Sequence, residues 1–240
     1  YLEIPEKIVG TWTQLAETRL LIHKHAGAIK YCIADDDIVI GRRNKKYWTG
    51  KSNSEKSRWI AKPEEISIAF ETMDKWLDEK DIGIIGFANA GFPSNTEYLD
   101  TVGCLSIIMV DGRMISKIID DVNITELRTN EDVLFLFECL SRGINTRLSM
   151  EWLHDNKSMS SYKTMKDTRI VWTGMYAKDE EIPSMDEIYQ NEHNQKAVEY
   201  IQKRFPMGIK FYEKNGIKKH TKLWKKVYKS AMQSTLENYL

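Results

Sequence analysis

The sequence contains no apolar run near the roughly 20 residues that a membrane-spanning helix needs. Its apolar runs, Ile82 to Ala88 and Cys104 to Val110 among them, are strand-length, so no membrane partner is expected. Cysteine is scarce. Cys32, Cys104 and Cys139 sit inside apolar segments, without metal-type or paired spacing, and read as reduced core residues of a cytosolic protein. No signal peptide opens the sequence, in keeping with a cytoplasmic location. Internal repeats and long low-complexity stretches are also missing, so a repeat array is not expected. Net charge is zero, with 35 Lys and Arg against 35 Asp and Glu, which argues against a general nucleic-acid coat.

What is present is a chain of 240 residues, 42% apolar and 29% charged. That is enough to bury a real core as one large domain or two small ones. The charge is unevenly spread. Between Lys210 and Lys229 stand eight lysines and one glutamate. Such a stretch reads either as a solvated surface element or as a patch that gains from counterion release on phosphate backbones. On a neutral protein it implies a local contact.

Thr11 to Lys24 carries helix formers, with Trp12, Leu15, Ala16 and Ile22 inward. Ile29 to Ala34 is a short apolar run, Ile38 to Ile40 follows, and a polar, basic loop extends from Arg42 to Arg58. Pro63 opens the best helix: Ile66, Ala69, Phe70, Met73, Trp76 and Leu77 recur on one face, with Glu64 and Glu65 in the first turn. Ile82 to Phe87 reads as a buried strand. Asp111-Gly112, between Cys104–Val110 and Arg113–Ile119, predicts a hairpin. Asn130 predicts the N-cap of a helix whose core face is Val133, Leu136, Phe137 and Leu140, closed by Gly143. Ser184 with Glu187 has capping-box spacing. A further helix, with Ala197, Val198, Ile201 and Phe205 inward, stops at Pro206. Lys210 to Tyr212 with Asn215-Gly216 predicts a second hairpin. This order predicts an α/β fold, a mixed sheet flanked by helices in a single domain over 1–240, with 207–240 as a basic C-terminal element. Such folds open on a strand; either Leu2 to Val9 supplies it at a sheet edge, or it precedes Tyr1.

The sharpest local feature is the run Asp35, Asp36, Asp37 at the end of a hydrophobic strand. Adjacent carboxylates repel at a cost on the order of a kcal/mol per pair, and a divalent cation reverses that sign. Alternate residues of an extended chain point the same way, so Asp35 and Asp37 can share one cation while Asp36 points elsewhere. Such an ion keeps positions open for substrate phosphates. The plainer reading is an acidic turn. The strand-end location favours a ligand site, because open α/β sheets gather ligands there. Asn130-Glu131-Asp132 reads first as a cap followed by acidic residues that suit the helix dipole. A carboxylate so held is also what a general base for a hydroxyl requires.

The strand-end Asp-x-Asp and the later Glu-Asp together resemble glycosyltransferases of the GT-A fold. Over most of its length the chain is similar to the phage glycosyltransferases, associated with TET/JBP-type hydroxylases, that decorate hydroxymethylated pyrimidines in DNA. The likeness runs through Ala16-Glu17-Thr18-Arg19, Ile33-Ala34-Asp35-Asp36-Asp37-Ile38 and Ile84-Ile85-Gly86-Phe87. It continues in Asn130-Glu131-Asp132-Val133, Leu136 and Gly143, and ends in Trp224-Lys225-Lys226. The family's glycine pair in the later region is not evident here. The resemblance implies a divalent metal, manganese or magnesium, and a nucleotide-sugar donor such as a UDP-sugar. It makes Asp35 and Asp37 the metal ligands and places Asp36 beside them at the donor diphosphate. Asp132, with Glu131, becomes the base of an inverting transfer. Arg19 then faces the donor or is a solvated helix arginine, and His154 is a third metal ligand or a structural histidine.

The acceptor implied is DNA carrying hydroxymethylated pyrimidines, in the host cytoplasm if the protein is phage-encoded. A base in duplex DNA must leave the stack to react. Arg42, Arg43, Lys45, Lys46 and Trp48, with Lys222, Lys225 and Lys226, would hold the strand. Two other readings stay open. One is a GT-A transferase acting on a glycan, lipid or protein, with the same donor chemistry and no DNA affinity. The other is a non-catalytic nucleic-acid-binding module working through Trp48, Trp224 and lysines. A metal-dependent nuclease would call for a second acidic cluster with a lysine, which is not evident.

Overall fold

The computed structural model describes residues 15–35, 38–43, 58–89, 96–127, 130–156 and 192–237. In chain order the first elements are α1 (Leu15–Ala26), β1 (Lys30–Ala34), β2 (Ile38–Arg43), β3 (Arg58–Ile60), α2 (Pro63–Trp76) and β4 (Ile82–Asn89). Next come β5 (Tyr98–Asp100), β6 (Ile107–Asp111), α3 (Gly112–Ile115), a 3-10 turn at Ile119–Asp121, α4 (Glu131–Ser141) and β7 (Asn145–Asn156). The last are α5 (Glu192–Arg204), β8 (Ile209–Lys214), β9 (Ile217–Lys222) and α6 (Trp224–Glu237). The architecture is mixed α/β, as the order of elements in the sequence predicts. Ser184, Glu187 and the segment Leu2 to Val9 lie outside the described residues.

Two compact units make up the chain. The first, a sheet unit, takes Ala28–Ile115 and Ile144–Thr168. Its strands run in the order β1-β6-β4-β7-β2-β3, with β5 added on β7. β4 lies between β6 and β7 and is buried from Ile82 to Ala88, which is why its sequence is apolar without alternation. α2 forms where predicted. Pro63 occupies its first turn, and the Glu65 carboxylate accepts the Lys62 N–H at 3.0 Å. Its face of Ala69, Met73 and Leu77 packs with Ile82, Ile85, Phe87 and Trp152, and Ile66, Phe70 and Trp76 close the edge.

β1 is antiparallel to β6, β6 to β4, and β4 is parallel to β7, so β1, β4 and β7 all end on one side of the sheet. β2 is antiparallel to β7 and therefore begins on that side. β1 and β2 are four strand spacings apart in the order, roughly 19 Å in a flat sheet. The chain from Ala34 to Ile38 can reach only about 14 Å. The sheet accordingly curls, and the connection that begins at Asp35 starts and finishes on its carboxyl edge.

β7 changes partners along its length. Tyr98 to Asp100 pair with Arg147 to Ser149, whereas β2 pairs with Trp152 to Asn156. Between these stretches the register against β4 jumps from Phe87↔Ser149 to Ala88↔Leu153. The surplus residues form a bulge pinned by Trp152 N–H donating to Ser149 Oγ at 3.0 Å.

Two local expectations fail in informative ways. Asp111-Gly112 does not turn a hairpin. Asp111 Oδ1 accepts the Arg113 N–H at 2.9 Å and its carboxylate grips the Arg113 guanidinium, so β6 runs directly into the helical turn α3. Cys32 is exposed on β1, at the end of the strand order; Cys104 and Cys139 are buried, as expected.

The second, helical unit takes Tyr1–Gly27, Ser116–Gly143 and Arg169–Leu240. α4 is its axis. Every residue from Val133 to Leu140 is buried, the pattern of a helix enclosed on all sides. Phe137 meets the rings of Trp224 at 4.7 Å and Phe205 at 5.5 Å. The buried Glu138 is ion-paired with Arg142 and Arg204. Gly143, at φ 79°, ends the helix. β8 and β9 form the predicted hairpin, with Asn215 and Gly216 at φ 57° and 74°.

A Cβ at Gly86 would come within 2.8 Å of Cys104 Cβ and 3.2 Å of its Cα. Gly86→Ala should therefore destabilise the protein by about 1–3 kcal/mol, read as a lower midpoint in urea. An unchanged midpoint would show that β4 and the segment at Cys104 can separate without cost.

Candidate functional site

On the carboxyl edge of the sheet unit, Asp35 follows the last residue of β1 and is fixed by its own N–H donating to the Ser106 carbonyl at 2.8 Å. Asn89 closes β4, and in the register it sits opposite His154 of β7. His154 also pairs with Ile40 of β2. One carboxylate and one imidazole, 6% exposed, are thus carried by strands that end or begin on the same edge. Asp36 and Asp37 lie outside the described residues. Among the described residues, no three His, Cys, Asp or Glu side chains are grouped to hold a metal ion. Asp35 and His154 by themselves supply too few donors, and a cation there would need a carboxylate from the rest of the Asp-x-Asp segment.

In the helical unit a second group of predicted residues comes together at the start of α4. Asn130 is the N-cap residue, its carbonyl accepting the Leu134 N–H at 3.0 Å, but its side chain does not cap the helix. It stands in the left-handed region at φ 59°, with no side-chain cap bond, and donates instead to Asn194 Oδ1 at 2.7 Å. Arg19, on α1, lies 3.1 Å from Glu131 Oε1 and 3.9 Å from Asp132 Oδ2. Glu131 has a side chain 7% exposed, while that of Asp132 is 29% exposed. Asp132 Oδ1 also accepts the Val133 N–H at 2.7 Å. The two acids therefore differ in kind. Glu131 is enclosed by its arginine, whereas Asp132 is braced through one oxygen and open to solvent.

Lys222, read from the sequence as a strand contact, belongs with this group. Burial pushes its ammonium below the usual lysine range, and Asp132 acts in the opposite direction. Burial, assisted by Lys222, brings His220 down to about 4. On α1, His23 stacks on Phe135 with ring centres 4.2 Å apart. Burial, and then the charge of Arg19, lowers it to about 3. Both imidazoles are neutral at physiological pH.

The remaining predicted residues have other surroundings. Arg42 and Arg43 belong to strand β2, not to a loop. Arg42 donates to Glu151 at 2.6 and 2.9 Å and to Glu65 at 3.4 Å, and lies 4.8 Å over the Trp152 ring. Arg43 is only 8% exposed. These two arginines serve the sheet, and the bulge that presents Glu151 is what the sequence did not disclose. Lys45, Lys46 and Trp48 lie outside the described residues. Lys225 and Lys226 are exposed on α6. Asn194, buried and bonded to Asn130, went unnoticed because an Asn in a polar helical segment carries no distinguishing signal. No described helix is long and apolar enough to cross a membrane. Neither family models, nor curated proteins, nor solved structures give a match to the chain.

The buried histidines set an acid limit on the helical unit. Their folded pKa values lie below the unfolded value near 6.5, so below that pH the unfolded chain takes up protons that the folded chain refuses. Stability should be flat above about pH 6.5 and fall as pH drops toward 4. His23, 2% exposed, should account for about 2 kcal/mol of that loss by pH 5. His23→Phe, which keeps a ring on Phe135, should reduce the slope in urea titrations run from pH 7 to pH 5. An identical slope in the variant would mean that His23 is protonated in the fold.

Proposed function

We propose that this chain is a metal-dependent, inverting glycosyltransferase that moves a sugar from a nucleotide-sugar donor to a hydroxymethylated pyrimidine in DNA. The observation that carries the reading is the carboxyl edge of the sheet unit. Asp35 opens its Asp-x-Asp connection on the side where β1, β4 and β7 all end, the side on which open α/β sheets bind nucleotides. A manganese or magnesium ion would be held by Asp35 and Asp37, with His154 as a further donor, and would offset charge on the departing nucleoside diphosphate. Asp36 would lie beside the diphosphate.

Asp132 supplies the base. It is braced by the Val133 N–H and more exposed than its neighbour, so it would accept the proton of an acceptor hydroxyl as that oxygen attacks the anomeric carbon. Glu131 fixes Arg19, and Arg19 in turn helps hold Asp132. In this reading Arg19 is a positioning residue, where the sequence left a donor contact or a solvated helix arginine open. The acceptor half of the proposal draws support from the lysine-rich segment after Lys210, which suits a polyanionic substrate. A glycan, lipid or protein acceptor would leave that charge without a role.

Asp35→Asn and Asp37→Asn should each abolish divalent-dependent binding of a nucleoside diphosphate in calorimetry, with the fold intact; undiminished binding in both would remove the metal assignment. Asp132→Asn should cut turnover by roughly 10²-fold or more while donor binding persists. Glu131→Gln should mainly lower stability, because it weakens a nearly buried ion pair. A folded, inactive Glu131→Gln beside a fully active Asp132→Asn would move the base by one residue.

A further inference from the structure

The β8–β9 hairpin has two chemically different faces, which its register separates. Ile209, Phe211 and Glu213 share one face with Lys222, His220 and Lys218. Toward Ile209 this face packs inward, while Glu213 and Lys218 near the turn are exposed. Ile209 is buried, and Lys222 and His220 are half-buried. Lys218 lies 4.4 Å from the centre of the Phe211 ring and 3.7 Å from Glu199 of α5. The opposite face carries Lys210, Tyr212 and Lys214 on β8, with Thr221, Lys219 and Ile217 across from them. Lys210, Tyr212, Lys214 and Thr221 are exposed and Lys219 and Ile217 half-buried, and Tyr212 keeps 44% of its surface in solvent. No acidic residue shares this face. Tyr212 stands directly opposite Lys219 and has a lysine two residues away on either side, each about 6.6 Å along the strand.

We propose that this outward face binds single-stranded nucleic acid, with Tyr212 stacking on a base while Lys210, Lys214 and Lys219 hold neighbouring phosphates. The charge calls for a polyanion, and an open aromatic ring between the charges calls for one that offers π faces at short intervals. Single strands offer both; in a duplex the base faces are already stacked. The Asn215-Gly216 turn holds the two strands in one register, so the ring and the lysines are arranged before the ligand arrives. The proposal deepens the acceptor half of the function above and rests on it. It transfers the role of strand contact from Lys222, which faces inward, to residues the sequence had already set in alternation as Lys210, Tyr212 and Lys214.

The test is fluorescence anisotropy of a labelled oligothymidylate with the full chain, without cation or donor. Tyr212→Ala should weaken binding about tenfold and Tyr212→Phe should not, because stacking needs the ring and not the hydroxyl. The triple Lys210→Gln, Lys214→Gln, Lys219→Gln should flatten the log–log salt slope by about two units. Melting temperatures near wild type would show that these variants remain folded. Wild-type affinity in Tyr212→Ala would overturn the proposal. So would an equal loss in Lys225→Gln, Lys226→Gln, since the charge of the whole unit would then be the binding agent. Displacement by polyglutamate as readily as by unlabelled oligonucleotide would overturn it as well. Asp35→Asn should bind the oligonucleotide normally. Intact oligonucleotide binding with no sugar transfer would therefore count against the proposed reaction and leave the platform standing.

Discussion

Three residues join strands that lie four positions apart in the sheet order, and much of the sheet unit follows from that short tether. Ala34 ends β1 and Ile38 begins β2, yet β6, β4 and β7 stand between them in the sheet. A connection so short forces the sheet to curl and fixes both of its own ends on the carboxyl edge. The three carboxylates that would be costly as a bare cluster therefore belong to a connection whose two flanking strands both meet it on the carboxyl edge. Burial of β4 on both faces and the bulge in β7 complete the arrangement, the first by anchoring the sheet, the second by letting β7 serve β5 and then β2.

The helical unit solves a different problem, namely how to keep charge next to an enclosed helix. α4 is buried over most of its length, and its acidic residues stand toward its two ends. Glu138 is neutralised near the C-terminal end by Arg142 and Arg204. At the N-terminal end Arg19 and Lys222 stand near Glu131 and Asp132. Neutral His23 stacks on Phe135 of the same helix without adding charge. Asp132 is left as the acid of that group with both a brace and access to solvent, a combination that a residue needs if it is to exchange protons with a substrate.

Much of this was legible in the sequence where one period dominates. The α2 stripe from Ile66 to Leu77, the α5 stripe of Ala197, Val198 and Ile201, and Asn215-Gly216 each announce one structure. Errors arose where a side chain competes with the backbone. Asp111 turns Asp-Gly into a helix start by accepting the Arg113 N–H, and Asn130, although at the N-cap of α4, makes no side-chain cap bond and donates its amide to Asn194. Arg113 is only two residues from Asp111, whereas Asn194 lies far along the chain from Asn130. Arg42 and Arg43 looked like an exposed basic loop because Glu151, which neutralises Arg42, is distant in sequence and reaches it through a bulge. The candidate site itself was half legible. Acidic residues at a strand end and at a helix start can be read directly, whereas the gathering of Arg19 and Lys222 around Asp132 depends on long-range packing.

The central claim is that this chain transfers a sugar from an activated nucleotide to a base in DNA. The most direct measurement is incubation with a panel of nucleotide sugars, manganese or magnesium, and either hydroxymethylated or plain DNA, followed by mass spectrometry of the released nucleosides. The account predicts that one donor adds a sugar mass to the hydroxymethylated pyrimidine and that plain DNA gains nothing. Sugar transfer to neither DNA with any donor, together with no binding of nucleoside diphosphates in the presence of the cation, would contradict it.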